Sequence, residues 1–96
     1  MSHLRLIVLD VLKPHKPILT EFAEHLASLD NIVGVNMSVL EIDQKTETVK
    51  ISIEGSDLSY AILQKEIESL GGTIHSIDKV AAGKKIIDEV DTAQDR

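Results

Sequence analysis

The hydrophobic and polar positions fall into six blocks with two alternating rhythms. The first block, Leu4 to Leu12, is the most apolar and contains neither Gly nor Pro. Split by the two-residue period of a strand, Leu4, Leu6, Val8, Asp10 and Leu12 share one face, and Arg5, Ile7, Leu9 and Val11 share the other. Both faces are mainly aliphatic, as in a strand covered on both sides. The run is far short of the roughly twenty apolar residues that span a bilayer. Lys13-Pro14-His15-Lys16-Pro17 ends it, because proline cannot donate to a ladder and holds the preceding residue extended.

From Pro17 the rhythm changes to a helical one, with Ile18, Leu19, Phe22, Leu26 and Leu29 on one stripe and Pro17 as first helical residue. Asp30-Asn31 closes that helix. Ile32 to Asp43 reads as a strand with Val35, Met37 and Val39 on one face and Asn36, Ser38, Leu40 and Ile42 on the other. Gln44-Lys45-Thr46 is a polar turn, and Glu47 to Glu54 alternates cleanly, completing a hairpin. Gly55 breaks the strand, and Ser56 or Asp57 is placed to cap a second helix carrying Tyr60, Leu63, Ile67 and Leu70. Gly71-Gly72 supplies a left-handed exit, and Thr73 to Val80 is a last strand.

Strand, helix, strand, strand, helix, strand, joined by right-handed crossovers, predicts a ferredoxin-like α+β sandwich: a four-stranded antiparallel sheet in order 4-1-3-2 with two helices on one face. Residues 1–84 form this domain, and residues 85–96 form a charged arm, a short helix or partly disordered. The helices cover one face only, yet the first strand is apolar on both, with Leu40 and Ile42 adding to the open face. Exposed apolar surface marks a partner, and self-association is the expectation.

Composition narrows the function. The chain has no cysteine, which excludes disulfides, thiolate metal sites and thiol nucleophiles, and is compatible with a reducing cytoplasm. Aromatic residues make up 2% of the chain, Phe22 and Tyr60, so the core is aliphatic and the sheet lacks the stacking platforms of RNA-binding relatives of this topology. The net charge of −6 repels nucleic acid. The Met-Ser-His flank and the charges at Arg5 and Asp10 do not make a signal peptide, and neither a membrane nor nucleic acid is an expected partner.

The stretches Ile7-Val8-Leu9-Asp10-Val11-Leu12-Lys13-Pro14-His15, Gly34-Val35-Asn36 running to Glu41-Ile42-Asp43, and Gly71-Gly72-Thr73-Ile74-His75-Ser76-Ile77-Asp78 resemble the archaeal domain of unknown function 211 family over nearly the whole chain. The resemblance implies a ferredoxin-like fold, an archaeal cytoplasmic setting and a homo-oligomer, plausibly ring-like. It implies no established activity and no catalytic residues.

Candidate chemistry centres on Asp10. A carboxylate among aliphatic residues in mid-strand costs several kcal/mol unless it is paired, hydrogen-bonded or on a metal. It reads either as a ligand or metal group on the open face, with His75 beside it, or as an ion pair with Lys50 or a neighbouring subunit. Lys13 and His15, at the strand's end, form a second candidate ligand-binding pair, for an anion. Asp10, Glu41, Asp43 and Asp78 are candidate metal ligands, Glu41 and Asp43 with Glu47 near the hairpin. Ca²⁺ or Mg²⁺ is the ion such oxygens would take, with no cofactor required. The plainer alternative is a solvated acidic hairpin and an edge-strand charge. No two histidines have metal-ligand spacing on a shared element, and His25, beside Glu21, reads as a surface residue. Three functions follow: a non-catalytic oligomer binding a small ligand or divalent ion at a subunit interface, as a regulator; a scaffold without ligand; and an enzyme using Asp10 and His75 as an acid-base pair.

Overall fold

A computed structural model describes residues 3–90. Its elements are β1 (Leu4–Pro14), α1 (Leu19–Ala27), β2 (Ile32–Ile42), β3 (Thr46–Gly55), α2 (Tyr60–Ser69) and β4 (Thr73–Ala82). The strands form one antiparallel sheet in the order β2-β3-β1-β4, the expected topology with β1 and β3 at the centre.

The core lies between the sheet and the helices. Ile7, Leu9 and Val11 of β1 stand opposite Ile53, Ile51 and Val49 of β3, and all six are buried. Phe22 and Leu26 of α1, and Leu63 and Ile67 of α2, close over them. Tyr60, the only tyrosine, packs against the same cluster from the start of α2.

Helix boundaries differ from the sequence expectation at both N-termini. Pro17 is not the first helical residue. Ile18 stays extended (ψ 164°), and its carbonyl accepts the Phe22 N–H at 2.9 Å, so α1 starts at Leu19. Neither Ser56 nor Asp57 caps α2. Leu58 is buried in the core and donates its N–H to the Leu4 carbonyl at 2.9 Å. That anchor delays the helix, and Ser59 caps it by accepting the Ile62 N–H at 3.3 Å. The glycine exit is as expected: Gly71 has φ 90°, and the Gly72 N–H reaches the Ile67 carbonyl at 2.9 Å.

The larger departure is in strand rhythm. Between Val39 and Glu41 the β2–β3 register slips by one residue, so Glu41 stands opposite Thr48 and Ile42 opposite Glu47. Leu40 keeps the open side, but Ile42 moves to the helix side. In β4, His75 and Asp78 are each skipped in the pairing with β1. Ile74, Ile77 and Val80 therefore all stand opposite core-facing residues of β1, three residues apart rather than two. Each β-bulge inserts one unpaired residue and flips the alternation after it.

Candidate functional site

The open face of the sheet carries Leu6, Val8, Asp10 and Leu12 from β1, flanked by Thr48, Lys50, Ser52 and Glu54 of β3. In its middle Asp10 faces Lys50 on one side and Ser76 on the other. Among the described residues no ion pair joins Asp10 to Lys50, and Asp10 Oδ1 is buried without a hydrogen-bond partner. A hollow of about 290 Å³ opens beside it, lined by Asp10, Leu12, Thr48 and His75. The bulge at His75 makes this arrangement: the residue skipped in the ladder is the one brought into the hollow with Asp10.

Lys13 and His15 lie elsewhere, at the exit of β1 on the helix side. Lys13 is 0% exposed, directly opposite Glu47 in the sheet. Its Nζ donates to Glu47 Oε1 at 3.3 Å and to the Pro14 carbonyl at 2.8 Å, 5.8 Å from the centre of the Phe22 ring. His15 Nδ1 lies 2.9 Å from Glu47 Oε2 and Nε2 lies 3.0 Å from the Gln44 carbonyl. Both partners are acceptors, so both ring nitrogens donate when the ring is an imidazolium. The Glu47 hydrogen bond, helped by the Gln44 carbonyl and opposed by desolvation, raises the His15 pKa above 6.5. The His15 hydrogen bond, opposed by desolvation and helped by Lys13, lowers the Glu47 pKa below 4.5. The two basic residues of the candidate anion site are thus directed at a carboxylate of the chain itself.

The structure accordingly brings Asp10 and His75 together, brings Lys13 and His15 together, and puts the two pairs on opposite faces. The candidate metal ligands do not gather within one chain. Glu41 is exposed on the edge strand β2, and Asp43 is exposed at the hairpin, where its N–H meets the Thr46 carbonyl. The bulge after Val39 sends Glu41 to the open side while Glu47 stays on the helix side, which separates the expected hairpin carboxylates. Asp78 accepts from the Ser76 hydroxyl at 2.7 Å, on the opposite edge of the sheet. Among the described residues no group of three or more His, Asp or Glu side chains is placed to hold a metal ion. His25 is exposed, as expected, but its partner is Glu66 on α2 at 2.9 Å rather than Glu21. In the arm, Ile86 is half-buried and Ile87 is exposed, and residues 91–96 of the expected arm lie outside the described residues.

Two residues escaped the sequence reading. Thr48 was legible as a polar position on the open face of β3, but nothing in the strand period marks it as a neighbour of His75. Glu47 was legible as a hairpin carboxylate. Its role as the shared acceptor for Lys13 and His15 follows from a register that sequence does not state. No helix among the described residues is long and apolar enough to cross a membrane.

Comparison with known sequences bears on identity. The sequence model of the domain of unknown function 211 family, described as "Uncharacterized ArCR", matches residues 5–96. The uncharacterized protein MJ0319 of Methanocaldococcus jannaschii is 62% identical over 96 residues, covering 100% of this chain and 99% of that protein. With the βαββαβ topology already established, these matches mean that the chain belongs to the archaeal domain of unknown function 211 family.

Proposed function

We propose that this chain is a non-catalytic, self-associating binding module whose open sheet face receives a small ligand or a divalent ion where copies of the chain meet, in a regulatory role. The observation that carries the reading is the Asp10 Oδ1 atom, buried with no hydrogen-bond partner in a single chain. A buried polar atom left unsatisfied costs about 1–3 kcal/mol, more for a charged group, and native proteins seldom leave one without a partner. On this reading the partner is supplied by a ligand, an ion or another subunit rather than by an ordered water, and all three place Asp10 at a contact.

Self-association has its own support. The two sheet edges, β2 and β4, are unlike and both expose aliphatic side chains: Val33 (77%) and Leu40 (57%) on one, Ile77 (49%) and Val80 (56%) on the other. Unlike edges that meet do so head to tail, which generates a ring when the rotation closes. A metal at such an interface would draw Asp10, Glu41, Asp43 or Asp78 from more than one subunit, since one subunit does not gather three of them.

Native mass spectrometry of the purified protein, as isolated and after chelator treatment, tests this reading. The expected result is a discrete oligomer carrying excess mass. Removal of that mass by the chelator identifies an ion, and retention identifies an organic ligand. A discrete oligomer with no bound mass favours the scaffold reading, and a monomer with none removes the interface argument altogether. Turnover lost in both Asp10→Asn and His75→Ala would instead favour an enzyme.

A further inference from the structure

The binding reading above leaves the chemistry of the ligand open, and the hollow beside Asp10 narrows it. Resting on that reading, we propose that this hollow takes a small organic cation, a primary ammonium group on a short aliphatic stem, rather than a bare divalent ion.

An ionised carboxylate only accepts hydrogen bonds, so the partner missing from Oδ1 is a donor. An ammonium group supplies three donors and a compensating charge in one small head. Lys50 stands opposite Asp10 in the ladder, yet its amine makes no ion pair there.

The walls then separate the cations. Ca²⁺ takes six to eight oxygen ligands, and Mg²⁺ six in an octahedron. Within one chain the hollow is lined by Asp10, Thr48 and His75, too few donor residues to replace the water shell of a divalent ion without a second subunit, and by Leu12, whose side chain is apolar. A half-exposed leucine contributes nothing to a hydrated ion but covers an alkyl stem. At about 290 Å³ the hollow approaches the lower end of small-molecule sites, roughly 300 Å³, and far exceeds what one ion fills. Thr48 and His75 remain for a polar substituent at the other end of the ligand. The net charge of −6 favours the approach of a cation.

The test is nuclear magnetic resonance of the full-length chain at fixed ionic strength, following Asp10 Cγ, the Thr48 amide and the His75 ring. Four probes are added separately: n-butylammonium chloride, n-butanol, calcium chloride and magnesium chloride. The inference expects saturable shifts of all three signals with n-butylammonium, and none with n-butanol. In Asp10→Asn, n-butylammonium binding weakens at least about tenfold, as expected for losing a charge-assisted hydrogen bond. Thr48→Val keeps the shape of the wall and loses affinity by a smaller factor, and the wild-type comparison of amine with alcohol stands even if neither variant folds.

Equal shifts with butanol and n-butylammonium overturn the inference, because the hollow then recognises only the alkyl stem. Shifts with either metal salt and not with the amine overturn it while leaving the binding reading intact. Silence with all four probes overturns the inference, while the binding reading then stands or falls on the bound mass seen in native mass spectrometry.

Discussion

Lys13, Glu47 and His15 show how one side chain's position depends on another's. Lys13 is charged and fully buried, a placement that is tolerable only because Glu47 and the Pro14 carbonyl satisfy its ammonium. Glu47→Ala leaves that charge uncompensated and is expected to destabilise the fold by about 3 kcal/mol in urea unfolding. Lys13→Met refills the volume beneath Phe22 and leaves Glu47 partly exposed and still bonded to His15, so the same measurement should find a smaller loss, about 1 kcal/mol. The pH dependence follows from the two shifts. The His15 pKa is raised, so its contribution is complete below its unfolded value of 6.5 and is lost as pH rises through the folded value. The Glu47 pKa is lowered, so its contribution is complete above 4.5 and is lost as pH falls through the folded value. Thermal midpoints should therefore be highest between those two pH values, and His15→Asn should flatten the alkaline limb of the profile. An unchanged alkaline limb would show that the ring does not bridge Glu47 and Gln44 in solution. None of this network is visible in the spacing of Lys13 and His15 alone, which reads equally well as an external anion site. Asp10, by contrast, was legible as an anomaly from its apolar neighbours, because the cost of an isolated carboxylate does not depend on knowing the register.

At the level of elements, the order of strands and helices was readable because the aliphatic stripes change period sharply at Pro14, Asn31, Gly55 and Gly71. What was not readable is where a strand gains a residue. A bulge leaves composition untouched and inverts every facing after it, which is why Ile42 and Glu41 exchanged sides and why β4 carries its helix-side residues, exposed at Ile77 and Val80, at intervals of three. The helix starts depend on more than local preference: Leu58 is buried and bonded to Leu4 before α2 begins, so a local capping preference gives way to that burial, while Ile18 is the exposed, extended residue whose carbonyl opens α1. Two glycines separate the role of packing from that of propensity. A Cβ at Gly55 would run into the Asn31 carbonyl and the Leu58 side chain, whereas a Cβ at Gly34 would meet nothing within 4 Å. Gly55→Ala is expected to cost about 2 kcal/mol or more by chemical denaturation, because backbone carbonyls yield less than side chains. Gly34→Ala should stay within about 0.5 kcal/mol of wild type.

The described residues form a slab of 41 × 36 × 19 Å, one layer of strands and one of helices. A body this thin has a single interior, and its open face and two edges are left to water or to neighbours. Edge strands usually carry devices against further pairing. Both edges have two bulges, at His75 and Asp78 in β4 and at Val33 and Leu40 in β2, but β4 also carries the charges of Asp78 and Lys79, while β2 from Ile32 to Leu40 carries no charge and no proline. If β2 is the edge that meets a neighbour, Val33→Lys combined with Leu40→Lys should shift the mass measured by light scattering toward the monomer without lowering the helical signal in circular dichroism. Unchanged mass in that double variant would move the contact to the open face.

The nearly colourless interior has a practical consequence. With no tryptophan and a single tyrosine, the chain's intrinsic near-ultraviolet signal comes chiefly from Tyr60, at the first turn of α2. An optical titration or melt followed at that wavelength watches one helix seat itself on the sheet. It is nearly blind to α1 and to the far edge at β2, and agreement between that signal and the far-ultraviolet one becomes a direct test of whether the two halves of the slab come apart together.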